Sequence, residues 1–309
     1  MSNEIEYVDQ NDPAAVLSVA QRSSTILAKS SLVTKSLPVS LVTALEEPLE
    51  WAELEQIYYA CLRSGDDEAA HLCLKRLTGR FGATNHRVMA LRGMYQEAVA
   101  KDELELRRVL QSYNDVLKAD PMNIPMHKRR NALIRSLGRP VDAIDCLVHF
   151  LNSFPADTES WCELSDLYLE QNLHSQAIFC LEEAILMQPN AWNLHARLGE
   201  LNYVASQASQ EPTTASRKYL TAAVRRFARS VELCQDYLRG YYGLQLTTNQ
   251  LLHMDEGKDV PELTRTVVKR LNEMATKKLK HIISASSHST GPRQTEIIAA
   301  QALLDNTTG

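Results

Sequence analysis

Apolar side chains recur along most of the chain with the spacing of helices that bury one face. The clearest example lies between residues 158 and 191 and contains two such faces. The first consists of residues three and four positions apart: Trp161, Leu164 and Tyr168. The second has the same spacing with smaller residues: Ala177, Leu181 and Ala184. Pro189 cannot continue a helix, so the pattern predicts two helices that pack closely at Ala177 and end before this proline.

This pair of predicted helices recurs at a fixed interval. Pro121, Pro155 and Pro189 are separated by 34 residues, and Ala143 and Ala177 are separated by the same distance. The pattern A-x-x-C-L occurs at three places: 70–74, 143–147 and 177–181. A helix–turn–helix unit of 34 residues is the tetratricopeptide repeat. The sequence therefore predicts an all-α fold, a tetratricopeptide-repeat α-solenoid in which helix pairs stack as a right-handed superhelix.

Two interruptions break the period. Ala100–Arg107 lengthens one predicted turn, and the polar stretch Ser206–Thr214 is predicted to be an inserted loop. The second interruption explains why Gly199 and Ala223 are 24 residues apart, which is twice the spacing that the repeat pattern predicts.

The same patterns divide the chain into four regions. Residues 1–46 form an N-terminal segment with one predicted helix at about 13–33, and residues 47–255 form the repeats. Residues 256–285 are predicted to be a C-terminal capping helix, and the Ser- and Thr-rich residues 286–309 a flexible tail. The predicted apolar stripe of the capping helix has four members: Leu263, Val267, Leu271 and Met274.

The composition indicates a helical protein without catalytic machinery. Only 11 Gly and 11 Pro occur among 309 residues, which favours helices over a loop-rich or β-rich fold. The net charge of −5 gives no electrostatic reason to expect a nucleic-acid partner. The sequence contains no phosphate-binding glycine loop, zinc-protease motif or nucleophile elbow. We therefore predict that the protein is not an enzyme and has no catalytic residues, no cofactor and no metal site.

The cysteines and the termini limit the compartment. The 6 Cys form no C-x-x-C pair, which favours a reducing environment over a disulfide framework or a zinc site. The cysteines of the A-x-x-C-L pattern could form a thiol array, but a small apolar residue between packed helices is the favoured interpretation. The first ten residues are too polar for a secretory signal, and no run of about 20 apolar residues predicts a membrane span.

Basic residues cluster on two predicted helices. One cluster lies in the third repeat: Lys128, Arg129, Arg130 and Arg135. The other lies in the predicted capping helix: Lys269, Arg270, Lys277, Lys278 and Lys280. A basic amphipathic helix can lie on an anionic membrane surface. A solvated outer face of a cap is the favoured interpretation, because terminal repeats of a solenoid need a polar outer surface.

The first helices of successive repeats line the concave side of such a solenoid, which is its usual binding surface. The register predicts nine residues for this protein-binding surface: Lys128, Arg135, Cys162, Asp166, Leu169, Glu170, Asn193, Glu200 and Tyr203. This mixture of acidic, basic and apolar side chains suits a protein segment or a partner subunit.

Several runs of the sequence resemble one family of repeat proteins. They are GDDEAAHLCLKRL, NHRVMALRGMYQEA, YNDVLKADPMN, WCELSDLYLEQNLHSQAIFCLEEAILMQPN and FARSVELCQDYLRGYYGL. Together they cover roughly residues 50 to 250, and their order is similar to that of the endoplasmic reticulum (ER) membrane protein complex subunit 2 family.

This resemblance implies a cytosolic scaffold subunit of a complex that inserts newly made membrane proteins, including tail-anchored ones, without nucleotide hydrolysis. The implied partners are other subunits of that complex, namely the cytosolic parts of membrane-spanning subunits and a second soluble subunit. The implied location is the cytoplasmic side of the ER membrane, where those partners hold the protein as a peripheral subunit.

Two alternatives remain open at the level of sequence. The first is a soluble tetratricopeptide adaptor or co-chaperone that binds short peptide segments, of which one known form clamps the acidic C-terminus of a chaperone. Lys128 and Arg197 suit such a clamp, but Ala132 and Glu163 stand where it needs Asn, and Asn193 replaces a Lys. The second, less favoured alternative is an enzyme that carries repeats, for which the sequence offers no convergent set of titratable residues.

Overall fold

The structure is a computed structural model that describes residues 13–22, 48–208, 214–254, 263–285 and 292–308. The described residues form helices, which we number in chain order. They are α1 (13–22), α2 (Pro48–Ser64), α3 (Asp67–Phe81), α4 (His86–Val99), α5 (Glu103–Ala119), α6 (Ile124–Ser136), α7 (Pro140–Ser153), α8 (Thr158–Glu170), α9 (His174–Met187), α10 (Trp192–Gln207), α11 (Thr214–Leu233), α12 (Leu238–His253), α13 (Arg265–Ala285) and α14 (Pro292–Thr308). The predicted all-α tetratricopeptide-repeat fold is confirmed.

The chain divides into two compact units, residues 1–143 and 144–309, and the division falls within α7. In the first unit, apolar side chains of α1, α2, α3 and α4 form one core. In the second unit, one core joins α8, α9 and α10, and a larger core joins α10 to α14. Each core consists of helices that bury one face against the next pair, as the repeat pattern predicts.

Asn and Asp side chains fix the beginnings of five helices. Each one accepts a hydrogen bond from a backbone N–H of the first turn, which otherwise has no partner within the helix. The capping residues precede α3, α4, α5, α6 and α8: Asp66, Asn85, Asp102, Asn123 and Asp157. These short polar residues therefore set the repeat boundaries locally, before any packing between helices is considered.

A second recurring contact ties each repeat to the turn that precedes it. The side chains of His127, Trp161 and His195 lie 34 residues apart, and each bonds the carbonyl oxygen of the proline six residues earlier. The donor–acceptor distances are 2.9, 2.8 and 2.9 Å. Because a carbonyl only accepts, the imidazole Nε2 must carry the proton in both histidines. His and Trp therefore serve the same structural role at this position.

Small residues allow the helices of a pair to approach closely. Ala70, Ala143 and Ala177 are fully buried, at 0% exposure. Between α8 and α9 the approach is close enough for the Ser165 hydroxyl to donate to the carbonyl oxygen of Ala177, at 2.8 Å. Ser165 stands where this repeat family usually has Gly, and the hydrogen bond satisfies its buried hydroxyl.

The first predicted interruption differs from the structure. Ala100–Arg107 was expected to lengthen a turn, but α5 begins at Glu103, so the connection to α4 contains only residues 100–102. Asp102 caps this helix, and the Glu105 carboxylate accepts from the Lys101 backbone N–H at 2.8 Å. Most of the residues that interrupt the repeat period therefore belong to α5 rather than to a turn, because the Asp102 cap starts this helix at Glu103. In the second interruption, α10 ends at Gln207 and α11 begins at Thr214, and residues 209–213 lie outside the described residues.

The prediction for the C-terminal end of the chain needs correction, whereas the described residues do not contradict the predicted N-terminal helix. The predicted N-terminal helix is present at 13–22, and residues 23–33 lie outside the described residues. Half of the predicted apolar stripe is confirmed, since Leu263 and Leu271 pack against the core of the second unit, but Val267 and Met274 are 40% and 38% exposed. The buried stripe consists instead of Val268, Ala275, Leu279 and Ile282.

The residues predicted to be a flexible tail contain a helix. Pro292–Thr308 forms α14, which contacts α12 and α13 and buries Ala300 and Leu304 to 0% and 3% exposure. The prediction failed because it weighed the Ser and Thr content above these two apolar residues, whose spacing of four places them on one helix face. As α14 packs on α13, the latter does not cap the stack alone.

The Ala177→Leu variant should be less stable than the parent by about 1–3 kcal/mol, because three added carbons must fit into a fully packed contact between α8 and α9. Chemical denaturation followed by circular dichroism measures this difference. The matched control is Ala215→Leu at an exposed position of α11, where we expect a change within about 0.5 kcal/mol. Equal denaturation midpoints for both variants would contradict the assigned register.

Candidate protein-binding groove

The second unit contains an apolar groove bounded by α10, α12 and α14, with a volume of about 510 Å³. This volume lies within the range of ligand-binding clefts, roughly 300–1,000 Å³. The apolar lining comes from all three helices and from α11: Tyr203, Val204, Phe227, Leu238, Tyr242, Leu246 and Ala299. Leu238, Tyr242 and Leu246 are four residues apart, so α12 presents one continuous apolar edge to the groove.

Phe227 of α11 lies at the base of the groove and positions its two longest walls. Its ring is 2% exposed and lies against Gly199 of α10 and Gly243 of α12. A Cβ atom at Gly199 would lie 2.9 Å from the ring, and a Cβ atom at Gly243 would overlap it more severely. Because both glycines leave room for the ring, α10 and α12 can contact each other around it. The width of the groove therefore depends on the absence of a side chain at Gly199 and at Gly243.

The rim of the groove carries charged and polar groups. Glu200 lies on α10, Arg239 on α12 and Glu296 on α14, and the Arg239 Nε atom lies 3.9 Å from Glu296 Oε1. This exposed ion pair links α12 to α14 but contributes little stability, since such pairs are worth about 0–1 kcal/mol. Burial raises the pKa of the neighbouring Tyr237 hydroxyl. The Arg239 guanidinium opposes this shift, and the carboxylates of Glu200 and Glu296 add to it.

Only two of the nine residues predicted for the binding surface line this groove, namely Glu200 and Tyr203. Burial is the main cause that raises the pKa of the Tyr203 hydroxyl, and Tyr242 adds to it, so the phenol stays neutral at physiological pH. Lys128 and Arg135 lie on α6 in the first unit. Their role in binding, like that of the remaining five, stays a prediction.

The remaining five predicted residues lie on α8 and α10. Cys162 and Leu169 are partly buried against the core of α8, α9 and α10, whereas Glu170 and Asn193 are exposed. Asp166 forms an ion pair with Arg197, which joins the first helices of two successive repeats. Arg197 was one of two residues that suited a carboxylate clamp. Its guanidinium is instead engaged by a carboxylate of the protein itself, so the clamp interpretation loses a ligand.

Sequence reasoning missed most of the groove. The α14 residues Thr295, Glu296 and Ala299 were assigned to a flexible tail, and the α12 edge lies beyond the best copies of the repeat. The sequence does contain one indication of the groove, which is the aromatic cluster at the start of α12: Tyr237, Tyr241 and Tyr242. Tyr241 is buried at 4% exposure, and Tyr242 faces the groove.

The cysteines of the A-x-x-C-L pattern behave as packing residues. Cys73 and Cys180 are 0% and 1% exposed, and burial raises the pKa of each thiol to about 12. Such thiols are almost entirely protonated at neutral pH and therefore poor nucleophiles. Cys146, the third member, is half-buried.

Within the described residues, no group of three or more His, Cys, Asp or Glu side chains is arranged to hold a metal ion. In the same part of the chain, every helix is too short or too polar to span a bilayer.

The paired helices and their 34-residue spacing define a tetratricopeptide-repeat protein. A structural relative is the C-terminal part of a tetratricopeptide-repeat protein from Cytophaga hutchinsonii, with a TM-score of 0.51 and 12% identity over 94% of this chain and 99% of that one. At this identity the likeness concerns the fold alone.

Sequence comparison identifies the family. The profile of the EMC2 TPR-like repeat domain matches residues 87–216. The TPR repeat protein oca3 of Schizosaccharomyces pombe is 34% identical over 229 residues, which is 74% of each chain. The ER membrane protein complex subunit 2 of Xenopus tropicalis is 29% identical over 255 residues, 82% of this chain and 80% of that one. The protein belongs to the ER membrane protein complex subunit 2 family.

The Gly243→Ala variant should destabilise the second unit. Alanine gains about 0.5–1 kcal/mol of helix propensity over glycine. Overpacking against the Phe227 ring costs about 1–3 kcal/mol, and we expect this larger cost to determine the sign. The free energy of unfolding from chemical denaturation measures the balance.

The same substitution at Gly79 in α3 is the matched control. No atom lies within 4 Å of a Cβ built there, so Gly79→Ala should stabilise the protein by about 0.5–1 kcal/mol through propensity alone. Opposite signs at the two glycines are expected, and a stabilising Gly243→Ala would show that Phe227 does not hold α10 and α12 at this distance.

Proposed function

We propose that this protein is a scaffold subunit of the ER membrane protein complex, and that the groove between α10, α12 and α14 binds a segment of a partner subunit. The observation that carries the proposal is the apolar groove with a charged rim, in a chain whose relatives bear the name of a complex subunit. A scaffold of this kind contributes contact surface and no catalysis, which fits a groove lined mainly by aliphatic and aromatic side chains.

The rim indicates the chemistry of the segment. Glu200 and Glu296 outnumber Arg239, so a bound segment that carries a basic residue beside its apolar ones would match the groove. Tyr203 and Tyr242 offer large, stiff surfaces of the kind that dominate binding energy at protein interfaces. Such a segment is expected in the cytosolic part of a membrane-spanning subunit or in a second soluble subunit.

The proposed location follows from these partners. The protein would lie on the cytoplasmic side of the ER membrane as a peripheral subunit, held there by membrane-spanning partners. The complex would insert newly made membrane proteins, including tail-anchored ones, without nucleotide hydrolysis. The main alternative is a soluble peptide-binding adaptor, and the engagement of Arg197 by Asp166 disfavours its carboxylate-clamp form.

The Leu246→Glu variant tests the groove. A carboxylate among apolar side chains must be desolvated when a partner binds, which should reduce recovery of membrane-spanning partners roughly ten-fold or more. The measurement is affinity purification of the tagged full-length chain from detergent-solubilised membranes, with partners quantified by mass spectrometry. Circular dichroism and thermal denaturation establish that the variant remains folded.

The control is Leu186→Glu in α9, because Leu186 is 67% exposed and lies outside the groove. This variant should recover partners at the level of the parent. Two results would overturn the proposal. One is full recovery with Leu246→Glu, and the other is a native pool that remains a monomer in the soluble fraction, without extraction by salt or detergent.

A further inference from the structure

Helix α13 has one buried face and one face that no described element covers. Its buried stripe packs within the core of the second unit, and the helix contacts α12 and α14. At 100° per residue, the positions opposite this stripe are exposed along the whole length of the helix. We call this opposite side, with its residues Lys269, Arg270, Lys277, Lys280 and His281, the basic face of α13.

The basic face has a charge opposite to that of the whole protein. The sequence of α13, RTVVKRLNEMATKKLKHIISA, contains six Lys or Arg residues and one acidic residue, Glu273, which lies on the same exposed face. The complete chain has a net charge of −5. The positive charge is therefore concentrated on one surface, which creates a local potential that the net charge does not reveal.

Within the described residues, Glu273 is the carboxylate on this face, and neither the lysines of the face nor Arg270 forms an ion pair. On α11, Arg226 pairs with Glu182 at 3.2 Å and Arg229 pairs with Glu232 at 2.8 Å. In the part of the chain that the structure describes, no carboxylate lies within 4.0 Å of Lys269, Lys277 or Lys280. The same holds for Arg270. The face is thus available to an external polyanion.

An apolar edge accompanies the positive charge. Val267 and Met274 are seven residues apart, lie beside the basic face and are 40% and 38% exposed. Lys or Arg side chains next to exposed apolar ones are the pattern of helices that lie in a membrane interface. Sites for single-stranded nucleic acid usually add aromatic side chains for base stacking, and α13 contains no Phe, Tyr or Trp.

We propose that the basic face of α13 binds the anionic lipid headgroups of a membrane surface, with Val267 and Met274 contacting the edge of the acyl region. The binding is peripheral, since α13 remains packed on α12 through its opposite side. The interaction goes beyond the scaffold function and does not depend on it, because it requires lipid and no partner subunit.

Vesicle flotation with the purified full-length chain tests this binding. The vesicles contain phosphatidylcholine alone or phosphatidylcholine with roughly one-third phosphatidylserine, because the anionic headgroups supply the attraction. We expect flotation only with the anionic vesicles, and a steep loss as salt rises from about 0.1 M to about 0.5 M, where charges are screened.

The decisive variant is the triple change Lys269→Gln, Lys277→Gln and Lys280→Gln. Each basic residue near an anionic surface contributes roughly a five-fold factor in partitioning, so the variant should lose at least about ten-fold in vesicle binding. The matched control changes three exposed lysines elsewhere: Lys75→Gln, Lys101→Gln and Lys218→Gln. It alters the net charge equally and should retain most of the binding. Circular dichroism checks both variants for native helicity.

Three outcomes would overturn the inference. They are an absence of flotation with anionic vesicles, an equal loss in the control variant, and binding of a short single-stranded RNA without binding of vesicles. The scaffold proposal is tested separately, because partner recovery depends on Leu246 in the groove and not on the lysines of α13.

Discussion

Close approach between helices is the constraint on which this structure depends. At the closest contacts within helix pairs, small residues such as Ala70 and Ala177 are fully buried. The clearest case is the Phe227 ring, which fills the space that Gly199 and Gly243 leave open. In a densely packed interior, any added atom displaces the atoms around it. The geometry of the groove above Phe227 therefore depends on Gly199 and Gly243, which carry no side chain, as well as on the larger side chains that line it.

The sequence predicts the repeats well because burial imposes a visible period on them. The 34-residue spacing of Pro121, Pro155 and Pro189 locates the helix pairs correctly, since each turn must place the next pair against the last. The ends of the chain lack this constraint. The stripe on α13 could be drawn through Val267 and Met274 or, one position later, through Val268 and Ala275, and only packing against α12 decides between them. The local pattern for α14 is weak, since only Ala300 and Leu304 mark its buried face, and the contacts of this helix with α12 and α13 cannot be read from so short a pattern.

The groove and the basic face of α13 belong to the same unit but differ in chemistry. The groove is apolar with a mixed rim, whereas the exposed face of α13 is mainly cationic. No residue of α13 lines the groove, so the two surfaces share no side chain. A repeat protein can in this way combine two kinds of contact without a second domain, since each helix has two faces and packing uses only one.

The third wall of the groove also has a consequence for the order of events during synthesis. Helices α10 and α12 precede α14 in the chain, so they emerge from the ribosome first, and folding begins with the N-terminal parts. The groove gains the wall that contains Thr295, Glu296 and Ala299 only after residue 299 has been made. A nascent chain can thus carry complete repeats while its groove is still open on one side. That side closes only when α14 has been synthesised and has packed on α12 and α13.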